Sequence, residues 1–121
     1  MANPNIVNVS TISGKTNAVV ANTATTLVVK NPLSSGKILK MNALSLANKS
    51  TGVEECDVIF NDESQSNATF FIAKSLDIPA ESTVFAIDKS SSYYLEEGDS
   101  ITVTASALSA IDVIASYEEI S

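Results

Sequence analysis

Apolar and polar residues alternate at period two over Ser100–Ala105, where Ile101, Val103 and Ala105 share one phase and Thr102 and Thr104 the other. The same alternation runs through residues 111–118, with Ile111, Val113, Ala115 and Tyr117 set against Asp112, Ser116 and Glu118. Successive side chains of a strand point to opposite faces, so each run predicts a half-buried antiparallel strand with one face on a core. Cys56, Val58 and Phe60, the pair Phe70 and Ile72, and the pair Phe85 and Ile87 repeat the pattern and complete the predicted core. Thr102, Thr104, Asp112, Ser116 and Glu118 are expected to face outward, because a slip of one residue would exchange the two faces.

Extended segments are predicted at residues 5–11, 18–21, 25–31, 37–48, 54–61, 69–73, 83–88, 93–95, 100–105 and 111–118. Turn chemistry separates them: Ser13-Gly14-Lys15, Asn31 to Gly36, Ser50-Thr51-Gly52, Asn61 to Ser64, Ile78 to Glu81, Ser90 to Ser92 and Glu97-Gly98-Asp99. No stretch keeps a helical period. Residues 38–47, with Ile38, Leu39, Met41, Leu44 and Leu46, tolerate either reading and are assigned as a strand buried on both faces. The expected fold is an all-β antiparallel two-sheet sandwich, jelly-roll or immunoglobulin-like, of about eight to ten strands. Residues 14–121 form its single domain, preceded by an N-terminal arm or edge strand over residues 1–13.

Composition narrows the chemistry. The 121 residues include no His and no Trp, and all seven cationic side chains are Lys. Without Arg there is no bidentate fork for phosphate or carboxylate, and without His no side chain titrates near neutrality at its ordinary pKa. A net charge of −7 opposes binding to nucleic acid or anionic lipid, both of which rest on cationic side chains. No run approaches the roughly 20 apolar residues of a membrane span, and the first residues lack a basic, apolar leader, so synthesis in the cytoplasm is expected.

Candidate reactive groups each have a plainer reading. Glu96-Glu97-Gly98-Asp99 has acids around a glycine, as calcium loops do, yet matches no calcium motif and is read as a solvated turn. Cys56, the single cysteine, has no His to activate it and stands between Glu55 and Asp57, whose charges raise a thiol pKa; it is assigned to the core. No catalytic residue, metal or cofactor is expected. Tyr93 and Tyr94, adjacent in an extended segment, point to opposite faces, one predicted in the core and the other on a contact surface. Surfaces rich in Ser, Thr, Ala and Val, and the apolar residues Ile6, Val7, Val9 and Ile12 of the N-terminal arm, suit contact with neighbouring subunits and a homo-oligomer.

Four stretches carry a resemblance to a family of small virion proteins of tailed bacteriophages, of the marine and cyanophage type: Lys37 to Leu44, Ile78 to Val84, Tyr94 to Ile101 and Ile114 to Ile120. Glu81 stands where that pattern usually has Gly. The resemblance implies a non-enzymatic virion structural protein, foremost a capsid decoration (cement) protein contacting the major capsid protein. The alternative it implies is a neck, tail or fibre-attachment component, and after that a module binding host-surface carbohydrate. The implied location is the virion, after synthesis in the host cytoplasm.

Overall fold

The computed structural model describes residues 11–121. Among them are nine strands: β1 (Ile12–Val20), β2 (Thr26–Lys30), β3 (Ile38–Asn48), β4 (Glu54–Asp62), β5 (Ala68–Ile78), β6 (Thr83–Ile87), β7 (Tyr93–Leu95), β8 (Ser100–Ala105) and β9 (Ile111–Ile120). Two antiparallel sheets result. Sheet A has the order β1-β9-β3-β6, with β7 also pairing β3; sheet B has the order β2-β8-β4-β5. If β6 and β7 are taken as one strand interrupted by the 3-10 turn Lys89–Ser91, the two orders become 1-8-3-6 and 2-7-4-5. That is the jelly roll, in which nearly every connection crosses between the sheets, and not the immunoglobulin order.

Alternation explains the packing. Val58 of β4 lies opposite Val103 of β8, Cys56 opposite Ala105, and Leu46 of β3 opposite Val113 of β9. These residues are buried and form the continuous layer between the sheets, with Met41, Leu44, Ile87, Leu95, Ile101 and Ile111. Thr102, Thr104, Asp112, Ser116 and Glu118 lie in the outward phase and are half-buried.

Four expectations are corrected. Ser13-Gly14-Lys15 is no turn: β1 runs unbroken through it, Gly14 pairing with Glu118. Residues 69–73 are part of a longer β5 that continues to Ile78 across a bulge at Ser75, whose φ is 51°. Residues 38–48 do form a strand, but its outward residues are mostly half-buried because, among the described residues, no second layer covers the outer face of sheet A. Phe70 and Phe85, expected in the core, are 47% and 59% exposed. For Phe85 the cause is a register shift between Leu44 and Ser45 of β3, which turns Phe85 outward opposite Ser45 while Ile87 stays inside. Phe70 lies opposite Phe60 on the inner phase, but β5 ends sheet B and leaves its ring half-open.

Short polar caps close the loops. Asp88 Oδ1 accepts from Ser90 N–H at 3.0 Å and from the Ser90 and Ser91 hydroxyls. Asp62 does the same for Ser64 and Gln65 in the turn after β4. These bonds favour the charged form and hold both carboxyls below the usual value of 3.8, chiefly through Ser90 for Asp88 and Ser64 for Asp62. Their stabilisation is therefore present above pH 3.8 and is lost as pH falls through the lowered folded pKa. In Asp88→Asn, the deficit in urea midpoint relative to the parent is expected at neutral pH and should vanish in strong acid; a deficit independent of pH would show that the charge contributes nothing.

Candidate interaction surface

The strand register assembles apolar rows on both outer faces. On sheet A, Ala18, Ile114, Ser45 and Phe85 lie side by side across β1, β9, β3 and β6. On sheet B, Leu27, Thr102, Ile59 and Phe71 cross β2, β8, β4 and β5 in the same way. Ile114, Phe85, Leu27 and Phe71 are each between 45% and 59% exposed. Beside the sheet A row, Ala18, Val19, Val20, Asp112, Val113 and Ile114 line a shallow, mainly apolar recess. Large apolar side chains aligned on an exposed sheet face are suited to burial by another protein surface.

Of the residues singled out from sequence, Ile6, Val7 and Val9 lie outside the described residues. Ile12 heads β1 opposite Ile120 and is 59% exposed. Tyr94 lies opposite Lys40 and Tyr93 opposite the buried Met41, yet β7 is short and at the sheet margin, so both rings are exposed, by 45% and 38%. Neither tyrosine is a core residue, which corrects the expectation that one would be. Ile12 and Tyr94 are not brought together: β9 and β3 lie between their strands.

The acidic turn proves to be an internal tie and not a solvated loop. Glu97 and Asp99 are 4% and 3% exposed. Glu97 Oε2 accepts from Gly36 N–H at 2.7 Å, while Asp99 accepts from Glu63 N–H and Glu96 N–H, both at 3.0 Å. Burial nonetheless raises the Asp99 pKa above 3.8, the two amide bonds opposing it. Its stabilising contribution is greatest below pH 3.8 and declines as pH rises through the raised folded value, opposite in sign to Asp62 and Asp88. The same turn binds Asn31, which is fully buried: its Nδ2 donates to Lys37 O at 2.8 Å and Leu95 O at 3.0 Å, and Oδ1 accepts from Ser35 Oγ at 2.6 Å. At the other end of the sandwich Asn48 repeats the device, donating to Gly52 O and Ile78 O at 2.9 Å. Sequence reasoning missed both; the available signal was an Asn ending an apolar run with a Ser two to four residues on.

A polar groove on sheet B is lined by Glu55, Asp57, Lys74, Ser75, Thr104, Ala105 and Ser106. Its groups are largely engaged with each other: Asp57 accepts from Ser75 N–H at 2.7 Å and pairs with Lys74 at 3.3 Å, and Ser106 Oγ donates to Glu54 at 2.7 Å. Among the described residues no cluster of three or more His, Cys, Asp or Glu side chains is placed to hold a metal ion. Cys56 is 1% exposed, and burial, then the neighbouring Asp57, pushes its thiol up to about 11. The thiolate is the reactive species. Native protein is therefore expected to resist alkylation by iodoacetamide at pH 8 and to react stoichiometrically in urea, as read by intact mass; rapid native labelling would contradict the buried placement.

No family model and no curated protein sequence matches the chain. Among solved structures it is similar to one described by the words "Bacillus endospore appendages form a novel family of disulfide-linked pili", at a TM-score of 0.52 and 10% identity, over 99% of this chain and 95% of that one. At that identity the likeness shows a shared fold alone.

Proposed function

We propose that this chain is a non-enzymatic structural subunit that acts by contact with neighbouring protein surfaces, and that its setting is the head of a tailed bacteriophage, as a decoration protein. The single observation that carries the reading is the pair of aligned apolar rows on the two outer sheet faces, where a free-standing jelly roll would present polar side chains. The phage setting is supported by the four resembling stretches, which fall on β3, the β5–β6 turn, the β7–β8 turn and β9. Glu81, at the departure from that pattern, has φ of 54°, the left-handed conformation a glycine would take most readily. The similar solved structure, described as forming pili, supports the broader part, a subunit of this overall fold that works within an assembly. That structure is described as disulfide-linked; here the single, buried Cys56 favours non-covalent contacts.

Quantitative mass spectrometry of purified particles tests the setting. A decoration protein should be present in a copy number that follows the head lattice, and heads lacking it should lose heat resistance while tails still adsorb. A copy number following tail symmetry would move the protein to the neck or tail, and absence from particles would end the virion reading. Turnover of a substrate, or retention on host glycans by the isolated protein, would overturn the structural class.

A further inference from the structure

Charge is segregated along this chain. Residues 1–53 contain five of the seven lysines and no Asp or Glu, whereas all fourteen acids lie in residues 54–121. The jelly-roll topology converts that segregation in sequence into one across the width of the molecule. β1 ends sheet A and β2 ends sheet B, and the two strands touch along one side of the sandwich. Their only charged side chains are Lys15 and Lys30, both exposed and, among the described residues, outside any ion pair. β5 and β6 end the sheets on the opposite side. There Asp77 and Glu81 are exposed and, among the described residues, outside any ion pair, while Lys74 is held by Asp57 at 3.3 Å and by the Phe71 ring at 5.0 Å.

We infer that the β1/β2 side of one copy docks against the β5/β6 side of the next, so that the chain associates with itself head to tail. Among the described residues both sides are sheet edges, the common template for adding another chain. β1 offers nine residues in unshifted register with β9, and β5 offers the apolar run Thr69-Phe70-Phe71-Ile72. Lys15 and Lys30 oppose the meeting of two β1/β2 sides, and Asp77 and Glu81 oppose the meeting of two β5/β6 sides. Only the unlike pairing brings opposite charges together. A contact between two different sides is heterologous and generates a ring or an open filament instead of a two-fold dimer. This inference rests on reading the chain as an assembly subunit and names its partner as a second copy.

The test is a charge exchange read by sedimentation velocity of the full chain at low salt. The parent should form concentration-dependent species that dissociate as salt is raised. Lys15→Glu with Lys30→Glu, and separately Asp77→Lys with Glu81→Lys, should each weaken association by on the order of tenfold or more. Mixing the two double variants should restore it, because each then offers the side the other lacks; restoration also shows that both variants are folded. A parent that stays monomeric at high concentration overturns the inference, as does association that neither variant weakens or that mixing leaves unrestored. A monomeric protein still found on phage heads would sink this inference alone, and a self-associating protein absent from particles would sink the virion setting alone.

Discussion

Asn31→Asp is expected to lower the stability of the domain by about 3 kcal/mol or more, from lost hydrogen bonds and a newly buried charge. The amide of Asn31 donates both its hydrogens to carbonyls on different segments, Lys37 before β3 and Leu95 at the end of β7, while its backbone exchanges bonds with Asp99 and Gly98. A carboxylate keeps the shape and loses both donors, leaving two carbonyl oxygens facing an anion in a region that already holds Glu97 and Asp99. Urea unfolding at pH 7 should show a midpoint lower by roughly 1–3 M for a protein of ordinary urea dependence. The deficit should shrink on acidification, because a buried, poorly solvated carboxyl has a raised folded pKa and its penalty is relieved once it is protonated. A midpoint within error of the parent would mean that the amide does not tie these segments together.

Gly98→Ala is the second large effect, expected at about 2–4 kcal/mol from backbone strain and overpacking combined. The backbone at Gly98 has φ of 92°, outside the range in which side-chain-bearing residues are comfortable. An added Cβ would also lie 2.7 Å from both Cβ and Cγ of Glu63 and 3.0 Å from Leu33 Cδ2. Glu63 cannot simply swing aside, because its amide is fixed to Asp99. Gly36→Ala provides the comparison: φ is 70° there, but among the described residues none beyond its chain neighbours comes within 4 Å of the new Cβ, so only the conformational cost of about 1 kcal/mol remains. Thermal and urea unfolding of the two variants should rank them in that order; equal losses would remove the steric part of the argument.

Strand positions were legible in the sequence where alternation is long and uninterrupted. Residues 93–95 and 100–105 were placed to the residue, and Ile101, Val103, Val113 and Ala115 fell on the predicted face. Phase failed where a bulge intervenes, since an extra residue in β6, Ala86, reverses the side on which Phe85 emerges and no local pattern announces it. The choice between jelly roll and immunoglobulin order depends on pairings such as β1 with β9, between residues far apart in sequence, which alternation does not encode. Asn31, Glu97 and Asp99 read as turn residues and Asn48 as the last residue of a strand, all polar types with no sign of burial; their burial comes from backbone partners contributed by other segments. The contact rows were hidden for the same reason. Leu27, Ile59 and Phe71 belong to three strands, and only the register of sheet B sets them side by side with Thr102.

The position of β9 has a bearing on how the protein is made. β9 lies between β1 and β3, so the centre of sheet A is filled by residues 111–120 after both of its neighbours have been translated. Until that segment clears the ribosome, β1 has no ladder to join and β3 exposes an open flank, a state in which nascent chains stick to one another. Ribosome-bound chains halted before Ile111 should stay protease-sensitive throughout, and protection should appear in one step once β9 has emerged.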